Sequence, residues 1–114
     1  MNMKMNIVIR TTFTAVHSWP SCPFRDTDYL RYPHRHVFYV TLKFPVEEDR
    51  DSELINIKEE VDRYLRDNWD GRDVGSLSCG AFCLFLLGDF PDAVYVSVFE
   101  DNENGVEVEK EISS

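Results

Sequence analysis

Pro33-His34-Arg35-His36-Val37-Phe38-Tyr39-Val40 is the stretch on which the reading of the fold turns. It opens a run, residues 34–46, with the composition of a β-strand. Side chains two apart on a strand leave the same face, so His34 and His36 stand side by side. Phe38, Val40, Leu42 and Phe44 continue that face. The chain has one other histidine, His17, at the end of an earlier run over residues 6–17. That run is rich in β-branched and aromatic residues, has no proline or glycine, and also reads as a strand. Pairing the two strands brings all three imidazoles to one point. Three imidazoles with an open fourth position form the ligand set of a catalytic zinc site. Zinc suits three neutral nitrogens, although imidazole also suits iron, nickel and copper.

Length and composition bound the rest. A chain of 114 residues fits one domain, residues 1–114. Its hydrophobic fraction of 43% is that of a globular protein rather than a disordered one. The formal net charge is −9 and the Lys and Arg residues are scattered, which argues against nucleic acid or an anionic membrane as partner. No run of eighteen apolar residues offers a membrane span, and the N-terminus lacks a signal-peptide core. A cytoplasmic location is the expectation. Three cysteines, Cys22, Cys79 and Cys83, give no disulfide framework.

Between the two strands, residues 18–33 hold Pro20, Pro23 and Pro33 and read as a long irregular connection. Arg25, Tyr29, Arg31 and Tyr32 are its candidate ligand contacts, with a solvated loop as the alternative. Asp51 or Ser52 is placed to cap an amphipathic helix that carries Leu54, Ile57, Val61, Tyr64 and Leu65 on one side and ends at Asp70-Gly71. Ser76 or Ser78 then caps a second, mostly buried helix that ends at Gly88; a buried strand is the alternative. Residues 93–100 alternate as a third strand. The Asn104-Gly105 pair marks a turn, and Val106, Val108 and Ile112 make a fourth strand. The order ββααββ is an α+β antiparallel sheet with two helices on one face. Several strands are apolar on both parities, so the second face is expected to meet another subunit.

Phe13-Thr14-Ala15-Val16-His17, His34-Arg35-His36 and Val96-Ser97-Val98-Phe99-Glu100 together resemble the 6-pyruvoyltetrahydropterin synthase and 6-carboxytetrahydropterin synthase family. The resemblance spans nearly the whole chain. It implies the tunnelling fold, with subunits joined into a homo-oligomer, typically a hexamer, and sites at subunit interfaces. It also implies that His17, His34 and His36 bind zinc and that Glu100 anchors a pterin ring, a role a guanine would satisfy equally. The chain departs from the family at Arg35, where glycine is usual, and at Asp101, where threonine is usual. The family's cysteine just before His-x-His has no counterpart at that spacing, nor is its Asp-His pair visible. Cys79 and Cys22 are left as candidates for moving protons. Cys79 opens a helix, which can lower a thiol pKa, and a packing role is the alternative. Two functions follow. One is a zinc-dependent lyase acting on a dihydroneopterin triphosphate-like substrate. The other is an inactive relative that holds a pterin, a guanine nucleotide or another purine-like ligand.

Overall fold

The computed structural model describes residues 3–50 and 53–111. Strands β1 (Met5–His17) and β2 (His34–Val46) pair antiparallel along their full length. Phe13 faces Phe38 across the pair, and His17 faces His34. Alternation decides which face is buried. Ile7, Ile9, Phe13, Ala15 and His17 of β1 share the inner face with Phe38, Val40, Leu42 and Phe44 of β2. The opposite parity stays open, with Val8, Val37 and Tyr39 exposed.

Two helices cover the inner face. Helix α1 (Leu54–Asn68) buries Val61 and Leu65 and packs Ile57 and Tyr64 against the core. Its cap is Glu53, whose carboxylate accepts from the amides of Ile55 and Asn56 at 3.0 and 3.2 Å. Asp51 and Ser52, the caps expected from sequence, lie outside the described residues, as does Ile112. Helix α2 (Cys79–Asp89) is capped by Ser78, whose hydroxyl accepts from the Ala81 amide. It buries Cys79, Phe82, Cys83, Leu86 and Leu87 but leaves Leu84 and Phe85 exposed, so one side of this apolar helix is uncovered. The two helices meet where the Tyr64 hydroxyl donates to Asp89.

A two-residue strand between the helices adds to the expected order. Strand β3 (Arg72–Asp73) runs parallel to β1 beside Ala15 and Val16. Gly71 donates to the Thr14 carbonyl at 2.7 Å, Val74 to that of Val16 at 2.8 Å, and Ser18 to that of Gly75 at 2.9 Å. These bonds guide the chain along the edge of β1 and deliver residues 76–79 to the end of the sheet that holds the histidines. Two residues are too few to carry a hydrophobic period, so only the tertiary contact makes them a strand.

The sheet closes with β4 (Tyr95–Glu100) and β5 (Asn104–Glu109), giving the order β3-β1-β2-β4-β5. The turn between them lies three residues ahead of the expected Asn-Gly. Asp101 and Asn102 adopt left-handed φ angles of 53° and 57°, and Glu103 donates to the Glu100 carbonyl. Asp and Asn tolerate that region, so they form the turn that Asn104-Gly105 was expected to form. Gly105 is instead a β5 residue opposite Phe99. A Cβ there would overlap the Val98 carbonyl oxygen and lie 2.6 Å from Phe99 Cα.

Urea unfolding of two glycine variants checks this register. Gly105→Ala should lose about 1–3 kcal/mol of stability through overpacking. Gly80→Ala, whose Cβ would meet nothing closer than 3.8 Å, should keep or slightly gain stability. Equal stability of Gly105→Ala and wild type would contradict the Phe99–Gly105 pairing.

Candidate metal centre and its cavity

The register of β1 and β2 builds the site. His17 and His34 are direct cross-strand partners, and His36 lies opposite Ala15, a small residue that leaves its ring room. The ring centroids are 4.5 Å apart for His17 and His34, 5.0 Å for His34 and His36, and 5.5 Å for His17 and His36. Phe38 forms the floor, its ring 5.2 Å from His17 and 5.9 Å from His36.

Each ring is held through Nδ1. The His17 Nδ1 lies 2.8 Å from the Leu77 carbonyl, and the His34 Nδ1 lies 2.9 Å from the Tyr32 carbonyl. A carbonyl can only accept, so both Nδ1 atoms carry the proton and both Nε2 atoms keep a free lone pair. The His36 Nδ1 lies 2.7 Å from Asp101 Oδ2. One nitrogen from each ring thus points inward, and the three candidate ligand atoms all lie within 4.8 Å of one another.

Among the described residues, the buried Nε2 of His17 has no hydrogen-bond partner. An unpaired buried polar atom costs stability unless something completes it. Burial also pushes the His17 imidazole below its ordinary pKa, aided by His34 and His36 and opposed by the Leu77 carbonyl and Glu100. A neutral imidazole with a free lone pair is a metal ligand. The donor set therefore fits a transition-metal ion that takes nitrogen ligands.

Glu100 joins this group from β4. Its carboxylate lies 3.5 Å from His17 Nε2 and 3.3 Å from His36 Nε2. It also lines a cavity of about 590 Å³ together with His17, His34, Trp19, Ser78 and Cys79. The long connection contributes Ser18, Trp19 and Leu30 to that cavity. Its other candidates turn elsewhere. Tyr29 and Tyr32 are exposed, and Arg31 donates twice to the Cys22 carbonyl and pairs with Asp28.

The two candidate cysteines are in different places. Cys79 lines the cavity, with its Sγ 3.7 Å from Glu100. Burial, then the Glu100 charge, pushes its thiol up to about 12, against the lowering that a helix N-terminus can supply. Cys22 is 1% exposed and its Sγ sits among the Phe24 and Thr27 carbonyls inside the loop, away from the cavity lining. Cys83 is fully buried and its thiol is raised to about 11.

Sequence reasoning missed Asp101 and Leu77. The first follows Glu100 in the chain but was visible only as a departure at a strand end. The second acts through its backbone, which no side-chain pattern reports.

A small α+β domain with a triple-histidine cluster at one end of its sheet is the class that these observations define. The chain matches no family model and no curated protein by sequence. Its structure is similar to that of 6-pyruvoyl tetrahydropterin synthase from Caenorhabditis elegans, with a TM-score of 0.75. The match covers 96% of this chain and 97% of that one, at 16% sequence identity. The fold is that of the pterin synthase, carried by a sequence only 16% identical to it.

Thiol titration checks the cysteine environments. At pH 8 the native protein should react slowly and with well under one thiol per chain, and the unfolded protein should release all three. A fast-reacting thiol in the native protein would mean that Cys79 is an accessible thiolate.

Proposed function

We propose that the chain binds zinc through His17, His34 and His36 and accepts a pterin-like ring in the adjoining cavity. In this reading it is a lyase of the 6-pyruvoyl- or 6-carboxytetrahydropterin synthase type, acting on a dihydroneopterin triphosphate-like substrate. The observation that carries the reading is the triad itself. Three imidazoles with their Nδ1 atoms held converge beside a cavity that His17 and His34 line, in a chain folded like a pterin synthase.

Zinc bound there would supply Lewis acidity toward substrate hydroxyls. The protein's part is to hold and orient. Among the described residues Glu100 is the one acidic side chain of the cavity lining, and its carboxylate can accept two parallel N–H groups from a 2-amino-4-oxo pyrimidine edge. Trp19 and Leu77 offer apolar surface for the ring, and Ser76 and Ser78 offer hydroxyls. The exposed Val8, Val37 and Tyr39 on the outer sheet face, with Leu84 and Phe85 on α2, are the surfaces through which a homo-oligomer, a hexamer by the family resemblance, would form.

A second reading rests on the thiols. Cys79 is raised to about 12, so it supplies no thiolate at neutral pH, and Cys22 is sealed in its loop away from the cavity lining. That favours a protein that retains a pterin, a guanine nucleotide or another purine-like ligand without converting it.

Metal analysis of the purified protein tests the common ground. About one zinc per chain is expected, lost in His34→Ala. A wild type that folds normally yet takes up no zinc would sink both the zinc site and the lyase. With zinc present, turnover of dihydroneopterin triphosphate supports the lyase, and stoichiometric recovery of an unchanged ligand supports the binding protein.

A further inference from the structure

We infer that Asp101 is the positioning residue of the metal centre, fixing the His36 ring so that its Nε2 meets the ion. The inference rests on the zinc reading of the triad.

The three histidines are not held alike. His17 and His34 lean on the carbonyls of Leu77 and Tyr32, which are backbone groups. His36 leans on a side chain, the Asp101 carboxylate, at 2.7 Å. Like His34, it also stands where β2 has lost its β4 neighbour. Pairing of β2 with β4 ends at Phe38 opposite Glu100, so residues 34–37 run on past the last paired residue of β4.

Asp101 fills that gap with three bonds. Its backbone amide donates to the Val37 carbonyl at 2.7 Å. Its Oδ1 accepts from the Val37 amide at 3.1 Å, while Oδ2 accepts from His36 Nδ1. One residue thereby continues the ladder and orients the ring. The left-handed φ of 53° at Asp101, followed by 57° at Asn102, turns the chain so that the carboxylate reaches back over β2.

A charged acceptor on Nδ1 does more than a carbonyl does. It fixes the tautomer and the ring plane, and it raises the basicity of the metal-facing nitrogen. Such outer partners typically account for 10–100-fold in metal affinity. Glu100, on the other side of the ring at 3.3 Å from Nε2, cannot take this role, because it faces the nitrogen that the ion needs.

Competitive zinc titration and the visible spectrum of the cobalt(II) form test the assignment. Asp101→Asn keeps the left-handed turn and removes the charge; Asp101→Gly keeps the turn and removes the acceptor. Glu103→Gln, a turn carboxylate outside the histidine contacts, is the control. We expect zinc affinity to fall about 10-fold in Asp101→Asn and toward 100-fold in Asp101→Gly, with a changed cobalt spectrum in both. Glu103→Gln should match wild type in both measurements. Thermal unfolding of the metal-free proteins should show Asp101→Asn folded like wild type. If wild type binds zinc and Asp101→Asn matches it in affinity and spectrum, the positioning role is overturned while the metal site stands. Equal weakening in Glu103→Gln would also overturn it, since the effect would then be general to turn charge. If wild type binds neither metal, the zinc reading falls and this inference falls with it.

Discussion

Phe38 is the side chain on which the rest depends. It is fully buried in β2, stacked on Phe13 at 4.9 Å and edge-on to Phe82 of α2 at 5.1 Å. Phe13 and Phe82 both reach Trp69, so the last turn of α1, the sheet and α2 share one aromatic cluster. Burial of such a ring stabilises by roughly 1.5–3 kcal/mol, and its contacts within the cluster add further. The same ring is the floor beneath His17 and His36. Core packing and site geometry are therefore one problem in this domain: a shift in Phe38 moves the ligands.

The polar groups above that floor are arranged by subtraction. Each imidazole has one nitrogen committed to an acceptor, and what remains faces inward. The backbone supplies two of the three acceptors, which is why β3 matters despite its length. By tying the α1–α2 connection to the edge of β1, it sets the Leu77 carbonyl within 2.8 Å of His17. The buried Nε2 of His17 is then left without a hydrogen bond among the described residues, a cost that a bound ion would remove. Glu100 and Asp101, adjacent in sequence, flank the His36 ring from opposite nitrogens because the strand ends between them.

At 16% identity to the worm pterin synthase the architecture is shared over nearly the whole chain. The three histidines stand together at one end of the sheet. The thiols do not stand in an activating environment: Cys79 faces a carboxylate within an apolar wall, and Cys22 closes its own loop. A helix N-terminus could have lowered the Cys79 thiol, but burial and a like charge outweigh a partial dipole there.

The period-2 pattern of residues 6–17 and 34–46 was enough, by itself, to determine two long strands, their buried faces and the meeting of His17, His34 and His36. Those features repeat over many residues, and each side chain's face follows from its parity. The α1 helix was legible for the same reason, from its 3.6-residue period. Tertiary structure alone decided β3, the Asp101-Asn102 turn, the exposed side of α2 and the partners of each histidine. Two-residue pairings carry no period, Asp-Asn and Asn-Gly compete for one turn, and a carbonyl acceptor is the same in every residue. What sequence repeats it announces; what depends on a single close approach in space, it leaves to the fold.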